Sequence, residues 1–285
     1  MSSSRSLDRL GLGLFVLLVL APVAASLAYA ALYGVGLAGL LSRGFTLEHW
    51  RRVAGSGEVW TSVGLSLFVA AAVVALTTAL ALPMALALRR RLEAGPLAYA
   101  LSLPLAIPGT VAALLTVQLL ASAGLVSRIC YRLGLIDGIA AFPSLVQDRW
   151  GLGIVATHTA LAVPFFVLLF AELHAHERIE ALRELAASLG ASHRQTLVRV
   201  TLPILLRRAV PGLALLFVSV LGSFEIPLLV GRQAPQMLSV LAWRKYALFD
   251  LSQKPEAYIL AVGYTTLAFV VVGLALRGRL LADER

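Results

Sequence analysis

Long apolar runs, each separated from the next by a short polar segment, dominate the chain. A helix needs about 20 predominantly apolar residues to cross the hydrocarbon core of a bilayer, and the runs reach that length. No stretch alternates polar and apolar residues as a half-buried strand would. The pattern therefore predicts six membrane-spanning helices, at about residues 10–32, 62–88, 97–121, 151–173, 210–230 and 257–276.

The amino-acid composition supports the same conclusion. Hydrophobic residues make up 59% of the chain and charged residues only 14%, with a mean hydropathy of +0.87. A soluble domain is nearer to roughly 45–50% apolar and 25% charged. We therefore expect an all-α integral membrane protein. The single cysteine, Cys130, excludes an intramolecular disulfide and a cysteine metal cluster, and no metal site is expected.

The first apolar run admits two interpretations. Its end, SLAYA at residues 26–30, is similar to the cleavage site of a signal peptide. The run is longer than the apolar region of a signal peptide, which has about 7–15 residues. An uncleaved first span is the favoured interpretation.

Arginine and lysine concentrate in the segments predicted to face the cytoplasm. More than half of the 24 Lys and Arg residues fall there, notably Arg89, Arg90 and Arg91 and those of the loop at about 174–208. The positive-inside rule then places both termini in the cytoplasm. Because the basic residues lie at the ends of apolar runs, the net charge of +9 indicates topology and lipid headgroup contact, with no nucleic-acid partner.

One polar stretch between the fourth and fifth spans, 184–203, has the pattern of a helix. Leu185 and Leu189 recur at helical spacing, and Gly190 follows, where a bend costs little because glycine has no Cβ. We expect a short helix headed by Glu184, a bend, and a second short helix closed by Pro203. Apolar Leu185 and Leu189 would face water there unless a partner protein covers them.

The spacing within this stretch resembles a known motif. Permease subunits of binding-protein-dependent ABC importers carry Glu-Ala-Ala, three residues, Gly, nine residues and Ile-x-Leu-Pro. Leu185 and Val200 depart mildly from that pattern, and an ordinary interfacial helix-turn-helix remains the alternative. The resemblance implies that the loop at about 174–208 couples the permease to an ATPase subunit. The implied coupling residues are Glu184, Leu185, Ala186, Leu189, Gly190, Leu202 and Pro203.

A second group of candidate residues lies within the spans. Glu225 is a carboxylate in an apolar run, which is costly unless it is paired or faces water. Pro227 follows it, and Pro108 interrupts the third run within PLAIPGT, so both runs favour broken helices that line a pathway. His158 is an ionisable residue of the fourth span. For Glu225 the alternatives are a structural ion pair with an arginine of another subunit or a protonated buried carboxyl. For Pro108 the alternative is irregular packing, and for His158 it is a neutral histidine hydrogen-bonded to a neighbouring helix.

Catalytic and nucleotide-binding motifs are not present in the sequence. It contains no GxxxxGK[ST] phosphate loop, no HExxH and CxxC, and no GxSxG. We therefore expect no enzymatic activity and no cofactor. The energy for any transport must come from a partner or from an ion gradient.

The resemblance to ABC permeases extends over nearly the whole chain. PLAIPGT, SFEIPLLVG and the stretch from Pro235 to Glu256 are similar to the spermidine/putrescine branch. The resemblance implies one transmembrane permease domain over residues 1–285 with the type I importer fold, in a bacterial inner membrane. It also implies two ATPase subunits, a second permease subunit in a homodimer or heterodimer, and an extracytoplasmic substrate-binding protein. An ion-coupled secondary transporter and a non-transporting scaffold are the alternatives.

Overall fold

The computed structural model describes residues 11–39, 42, 44–93 and 95–283, and within them the chain is helical with no β-strand. The predicted start of the first span at residue 10 lies outside the described residues, as do both ends of the predicted domain 1–285. The helices are α1 (Gly11–Gly34), α2 (Glu48–Gly55), α3 (Gly57–Glu93), α4 (Pro96–Ser102), α5 (Gly109–Leu120), α6 (Leu125–Arg132), α7 (Leu152–His176), α8 (Ile179–Ser188), α9 (His193–Leu221), α10 (Glu225–Val230), α11 (Leu238–Ala247) and α12 (Lys254–Asp283).

Six helical segments among the described residues are long and apolar enough to cross a membrane, as the sequence predicts. Four of the predicted spans correspond closely to α1, α3, α7 and α12. The predicted outer loops at 122–150 and 231–256 contain helices of their own, α6 and α11. The six candidate spans are Gly11–Gly34, Gly57–Arg89, Gly109–Arg132, Leu152–His176, His193–Leu221 and Leu251–Ala275.

The third span does not have the predicted bounds of 97–121. A short apolar helical segment, Pro96–Ala106, ends before Pro108, and the candidate span begins at Gly109. Pro108 has an extended ψ of 145°, and Ile107 before it has a ψ of 119°. A proline excludes its predecessor from the helical region and donates no hydrogen bond, so the helix stops there and restarts.

The fifth span also departs from the prediction of 210–230. Helix α9 begins at His193 and runs to Leu221, and a separate α10 follows at Glu225. Pro203 therefore does not close a short helix. A π turn at Leu197–Thr201, in which the Leu202 N–H donates to the Leu197 carbonyl, precedes it. This wider turn accommodates a proline ring that would otherwise press on the preceding turn.

The chain divides into two compact units. The first consists of the described residues of Met1–Trp60 together with Leu241–Thr266. Its tyrosines pack closely, with the rings of Tyr33 and Tyr258 stacked at 4.4 Å between centroids. Lys245 and Glu256 form an ion pair at 2.8 Å that is largely shielded from solvent.

The second unit consists of Thr61–Val240 and the described residues from Leu267 onwards. Its core draws on α3, α7, α8 and α9. Ile179, the first residue of α8, is completely buried in this core although it lies outside the apolar spans. Burying such a side chain contributes roughly 1.5–3 kcal/mol, which fixes the start of α8 against the spans. The other core residues are Ala81, Leu82, Ala85, Leu92, Ala162, Phe166, Val167, Phe170, Leu205 and Ala209.

Candidate functional site: the loop between α7 and α9 and the broken helices

The loop between α7 and α9 folds as a helix and a tight turn. Helix α8 spans Ile179–Ser188, and Gly190 follows it with a φ of +82°. The Gly190 N–H donates to the Ala187 carbonyl at 2.9 Å, and the Ala191 N–H donates to the Ala186 carbonyl at 3.0 Å. These bonds satisfy the last carbonyls of α8, in a cap that favours glycine because the left-handed conformation strains any Cβ.

Helix α9 starts immediately after this turn because Ser192 caps it. The Gln195 N–H donates to Ser192 Oγ at 3.3 Å, and the Ser192 N–H donates to Gln195 Oε1 at 2.8 Å. This capping box satisfies two backbone donors at the helix start. The expected second short helix is therefore the beginning of a long helix, in which Leu202 and Pro203 are half-buried.

The tip of the loop exposes apolar side chains. Leu189 is 81% exposed and Leu185 is 58% exposed. Glu184 is also exposed, whereas Ala186 is half-buried. We define these residues, from Glu184 to Gly190, as the tip. Leucines exposed this far from the spans form a surface suited to a protein partner.

The expectation that Glu184 heads the first helix is wrong. The helix begins five residues earlier, at Ile179, so Glu184 lies in its C-terminal half. The acidic residue of the first turn is Glu180. The favourable interaction of a carboxylate with a helix N-terminus is confined to the first turn, so it belongs to Glu180.

Charged side chains hold the start of α8, which we call the root and define as Glu177 to Arg183. Arg89 donates hydrogen bonds to both carboxylate oxygens of Glu180, from Nη1 to Oε2 and, at 3.5 Å, from Nη2 to Oε1. Arg183 donates to the same carboxylate at 3.2 Å. The hydrogen bond from Arg89 lowers the pKa of Glu180 below its ordinary value, so this carboxyl stays charged at neutral pH.

Two further contacts join the root to its neighbours. Arg208 of α9 pairs with Glu177 at 2.8 Å, and Arg183 Nη2 lies 3.2 Å from His193 Nδ1. Arg89 Nη1 also lies 3.3 Å from Nε2 of the buried His174. The sequence pattern did not indicate these contacts, and Arg89 was interpreted only as a signal of topology. The spacing of Glu180 and Arg183, three residues apart, is the one local signal that could have indicated them.

A second candidate site forms where two helices break. Helix α5 begins after Pro108, and α10 begins at Glu225, after the interruption at Gly222, Ser223 and Phe224. A Cβ placed on Gly109 would lie 3.3 Å from Glu225 Oε2. The Glu225 carboxylate therefore lies beside the positive end of the α5 dipole.

The side chains at these breaks differ in exposure. Pro227 is buried, whereas Pro108 and Glu225 are exposed. No described residue forms a hydrogen bond or an ion pair with the Glu225 carboxylate. A structural ion pair of Glu225 within the described residues is therefore not formed. The alternative of an ion pair with an arginine of another subunit and the predicted role in a pathway both stay predictions.

His158 lies half-buried in α7, next to a polar contact between two spans. Thr157 Oγ1 donates to Thr116 Oγ1 of α5 at 2.8 Å and also lies 2.7 Å from the Gly153 carbonyl. The Nε2 atom of His158 is buried and has no hydrogen-bond partner in the described chain. The expected hydrogen bond to a neighbouring helix is thus not formed by this atom. The described residues hold no group of three or more His, Cys, Asp and Glu able to bind a metal.

Six apolar helical segments among the described residues, with breaks at proline and glycine, are typical of a multi-pass membrane protein. The family described as "Binding-protein-dependent transport system inner membrane component" matches residues 79–282, and the chain belongs to it. The protein is therefore the permease subunit of an ABC importer, located in the inner membrane. It is a transport subunit and not an enzyme. No protein of curated function matches the chain.

Solved structures of bacterial alginate importers share the fold. One is a bacterial alginate ABC transporter in complex with alginate pentasaccharide-bound periplasmic protein, with a TM-score of 0.69, 19% identity, and coverage of 95% of this chain and 91% of that chain. Another is a bacterial ABC transporter involved in the import of the acidic polysaccharide alginate, with a TM-score of 0.66, 18% identity, and coverage of 96% and 94%. The type I permease fold is thereby confirmed. Neither comparison identifies the spermidine/putrescine branch.

Proposed function

We propose that the tip, from Glu184 to Gly190, docks on an ATPase subunit and transmits its movement to the spans. The observation that carries the proposal is the exposure of Leu185 and Leu189 on a helix whose first residue, Ile179, is completely buried. An exposed apolar surface at the end of a helix whose start is anchored in the core is suited to dock a partner and to transmit its movement. The spacing of Glu184, Gly190 and Pro203, which resembles the permease motif, supports the same role.

The proposed assembly has two pore-forming subunits, in a homodimer or a heterodimer. This chain pairs with a second permease subunit, two ATPase subunits bind at the cytoplasmic tips, and an extracytoplasmic binding protein delivers the solute. Exposed apolar side chains on the spans support further protein or lipid contact. The exposed fractions of Leu18, Leu114 and Leu215 range from 52% to 70%. Both termini lie in the cytoplasm in this arrangement.

We further propose that the solute is cationic, of the polyamine type. Glu225 presents an exposed carboxylate at a break between helices, and no described residue neutralises it with an ion pair. Broken helices that line a pathway are typical of substrate sites in transporters. A carboxylate there favours an ammonium group over an anion such as a uronic-acid polymer.

Transport by the complete complex in proteoliposomes tests the proposal. The complex of the permease subunits, the ATPase and the binding protein is assayed with labelled putrescine, labelled spermidine and an alginate oligosaccharide. ATP-dependent uptake of a polyamine is the expected result. Uptake of the oligosaccharide alone contradicts the cationic substrate, and uptake that proceeds without the ATPase contradicts the proposed coupling.

A further inference from the structure

The root of α8 is joined to two different spans by charged side chains. Arg89 stands at the end of the α3 span and binds Glu180 through both carboxylate oxygens. Arg208 belongs to α9 and pairs with Glu177 at 2.8 Å. Glu177 and Glu180 flank Ile179, which is completely buried. Besides the covalent connections of the loop to α7 and α9, the root of α8 therefore has three side-chain attachments to the membrane domain.

We infer that Arg89 and Arg208 are positioning residues that transmit displacement of the tip to α3 and α9 together. The inference rests on the proposed docking of the tip on an ATPase. Ile179 alone would anchor the root but would let α8 rotate about that point, because an apolar contact is not directional. Two ion pairs on either side of Ile179 fix the direction of the helix, since hydrogen bonds to a carboxylate depend on geometry.

The side chains of these ion pairs are shielded from solvent to different degrees. The Arg89 side chain is only 22% exposed, and Glu177 only 19%, whereas Glu180 is 53% exposed. Partly exposed ion pairs contribute little to folding stability. Their loss is therefore expected to leave the fold and the docking of the tip intact and to change how displacement is transmitted.

The test compares variants of the root with a variant of the tip, in the full complex reconstituted in proteoliposomes. The root variants are Arg89→Gln, Arg208→Gln and the charge exchange R89E/E180R. Arg91→Gln is the matched control, because Arg91 lies at the same helix end and is exposed. The tip variant is Leu189→Asp. Three quantities are measured for each: co-purification of the ATPase, ATP hydrolysis stimulated by the binding protein, and solute imported per ATP hydrolysed.

We expect Arg89→Gln and Arg208→Gln to keep the ATPase bound and to lower the solute imported per ATP by about tenfold, a common size for coupling between sites. The charge exchange R89E/E180R should recover part of that loss, because it restores the pair but places a second cation beside Arg183. Normal ATPase binding together with a lowered ratio in the single variants is the result that a merely structural role would not predict. Arg91→Gln should behave as the wild type. An unchanged ratio in both single variants, or a loss of ATPase binding in them, would overturn the inference.

The tip variant separates this inference from the proposal on which it rests. If Leu189→Asp binds the ATPase normally, the tip is not the docking surface and the proposed function fails. If Leu189→Asp loses the ATPase while the root variants transport with normal efficiency, only the transmission through Arg89 and Arg208 fails. Should Arg89→Gln not insert, Arg208→Gln and the charge exchange still decide the outcome.

Discussion

The guanidinium of Arg89 binds both carboxylate oxygens of Glu180, although the two residues lie 91 positions apart in the chain. The contact joins the end of one apolar span to the first turn of a helix outside the bilayer. It gives the exposed leucines beyond it a fixed position relative to the membrane domain. In the proposed mechanism, an ATPase docked on those leucines moves the spans through this contact.

Replacement of Gly190 is expected to disrupt the tip through the backbone. Its φ is +82°, and a Cβ there would meet no atom within 4 Å, so the cost of Gly190→Asp is conformational, about 1 kcal/mol or more. We expect weaker ATPase binding and loss of uptake with all six spans inserted. Co-purification of the ATPase with the variant permease measures the effect.

Gly95 provides a matched control for this substitution. It has a φ of +91° and a ψ of −57° with no atom within 4 Å of a Cβ, so Gly95→Asp introduces at least as much backbone strain outside the loop between α7 and α9. Gly95→Asp should retain the ATPase. Equal loss in the two variants would show that general strain, and not the shape of the tip, determines binding.

Glu184→Lys is expected to weaken ATPase binding for a reason that does not involve the helix dipole. Glu184 is exposed beside Leu185 in the C-terminal half of α8. In the proposed docking, a basic residue of the ATPase lies opposite Glu184, and a lysine at this position would set two like charges against each other across the interface, which destabilises a complex. The dissociation constant should rise and its salt dependence should change. Equal affinity for the two forms at low and high salt would contradict this role of Glu184.

Glu225→Gln is expected to reduce polyamine uptake without affecting expression or ATPase assembly. The substitution keeps the size of the side chain and removes the charge that would attract an ammonium group. Glu172→Gln serves as the control, because Glu172 is also an exposed carboxylate but lies on a different helix, α7. Normal uptake by Glu225→Gln would show that Glu225 does not act on the solute. Failure of that variant to assemble would instead favour a structural ion pair with another subunit.

Gly109→Ala tests the position of the same carboxylate. The added methyl group would lie 3.3 Å from Glu225 Oε2, a separation that requires a shift of a few tenths of an ångström. We expect a smaller loss of uptake than in Glu225→Gln, visible as a higher KM with little change in the maximal rate. A KM equal to that of the wild type would show that the fit between these helices does not influence the solute.

Cysteine labelling tests the predicted orientation of the spans. Ser188 and Ser252 are exposed, and single cysteines are placed there in a Cys130→Ser background. A membrane-impermeant maleimide added outside intact cells should modify the cysteine at 252 and leave the one at 188 unmodified. The reverse pattern would contradict the cytoplasmic position of the loop between α7 and α9.

The sequence was sufficient for features that depend on local chemistry. Runs of apolar residues located four of the six candidate spans closely. Gly190 located the turn because only glycine adopts a positive φ at little cost. Pro108 located one helix break, since proline excludes its predecessor from the helical region. These effects act within a few residues and can therefore be recognised in the local amino-acid sequence.

Other features could not be predicted because they depend on contacts with distant residues or on the hydrogen-bond geometry of a single helical turn. Pro203 was expected to end a helix, but a π turn accommodates it and α9 continues. Nothing in the sequence paired Arg89 with Glu180 or Arg208 with Glu177, because the pairs form only after the spans pack. The start of α8 was also misplaced, since Ile179 joins the core from outside the apolar runs.

Photo-crosslinking from position 189 tests the central claim most directly. A benzoyl-phenylalanine replaces Leu189, which is 81% exposed, and is irradiated in the assembled complex. In the control the probe replaces Leu133, which is 69% exposed and directly follows α6. The account predicts an adduct that mass spectrometry identifies as the ATPase subunit from position 189 and not from position 133. An adduct from position 189 with lipid alone, or with the binding protein, would contradict the docking of this tip on the ATPase.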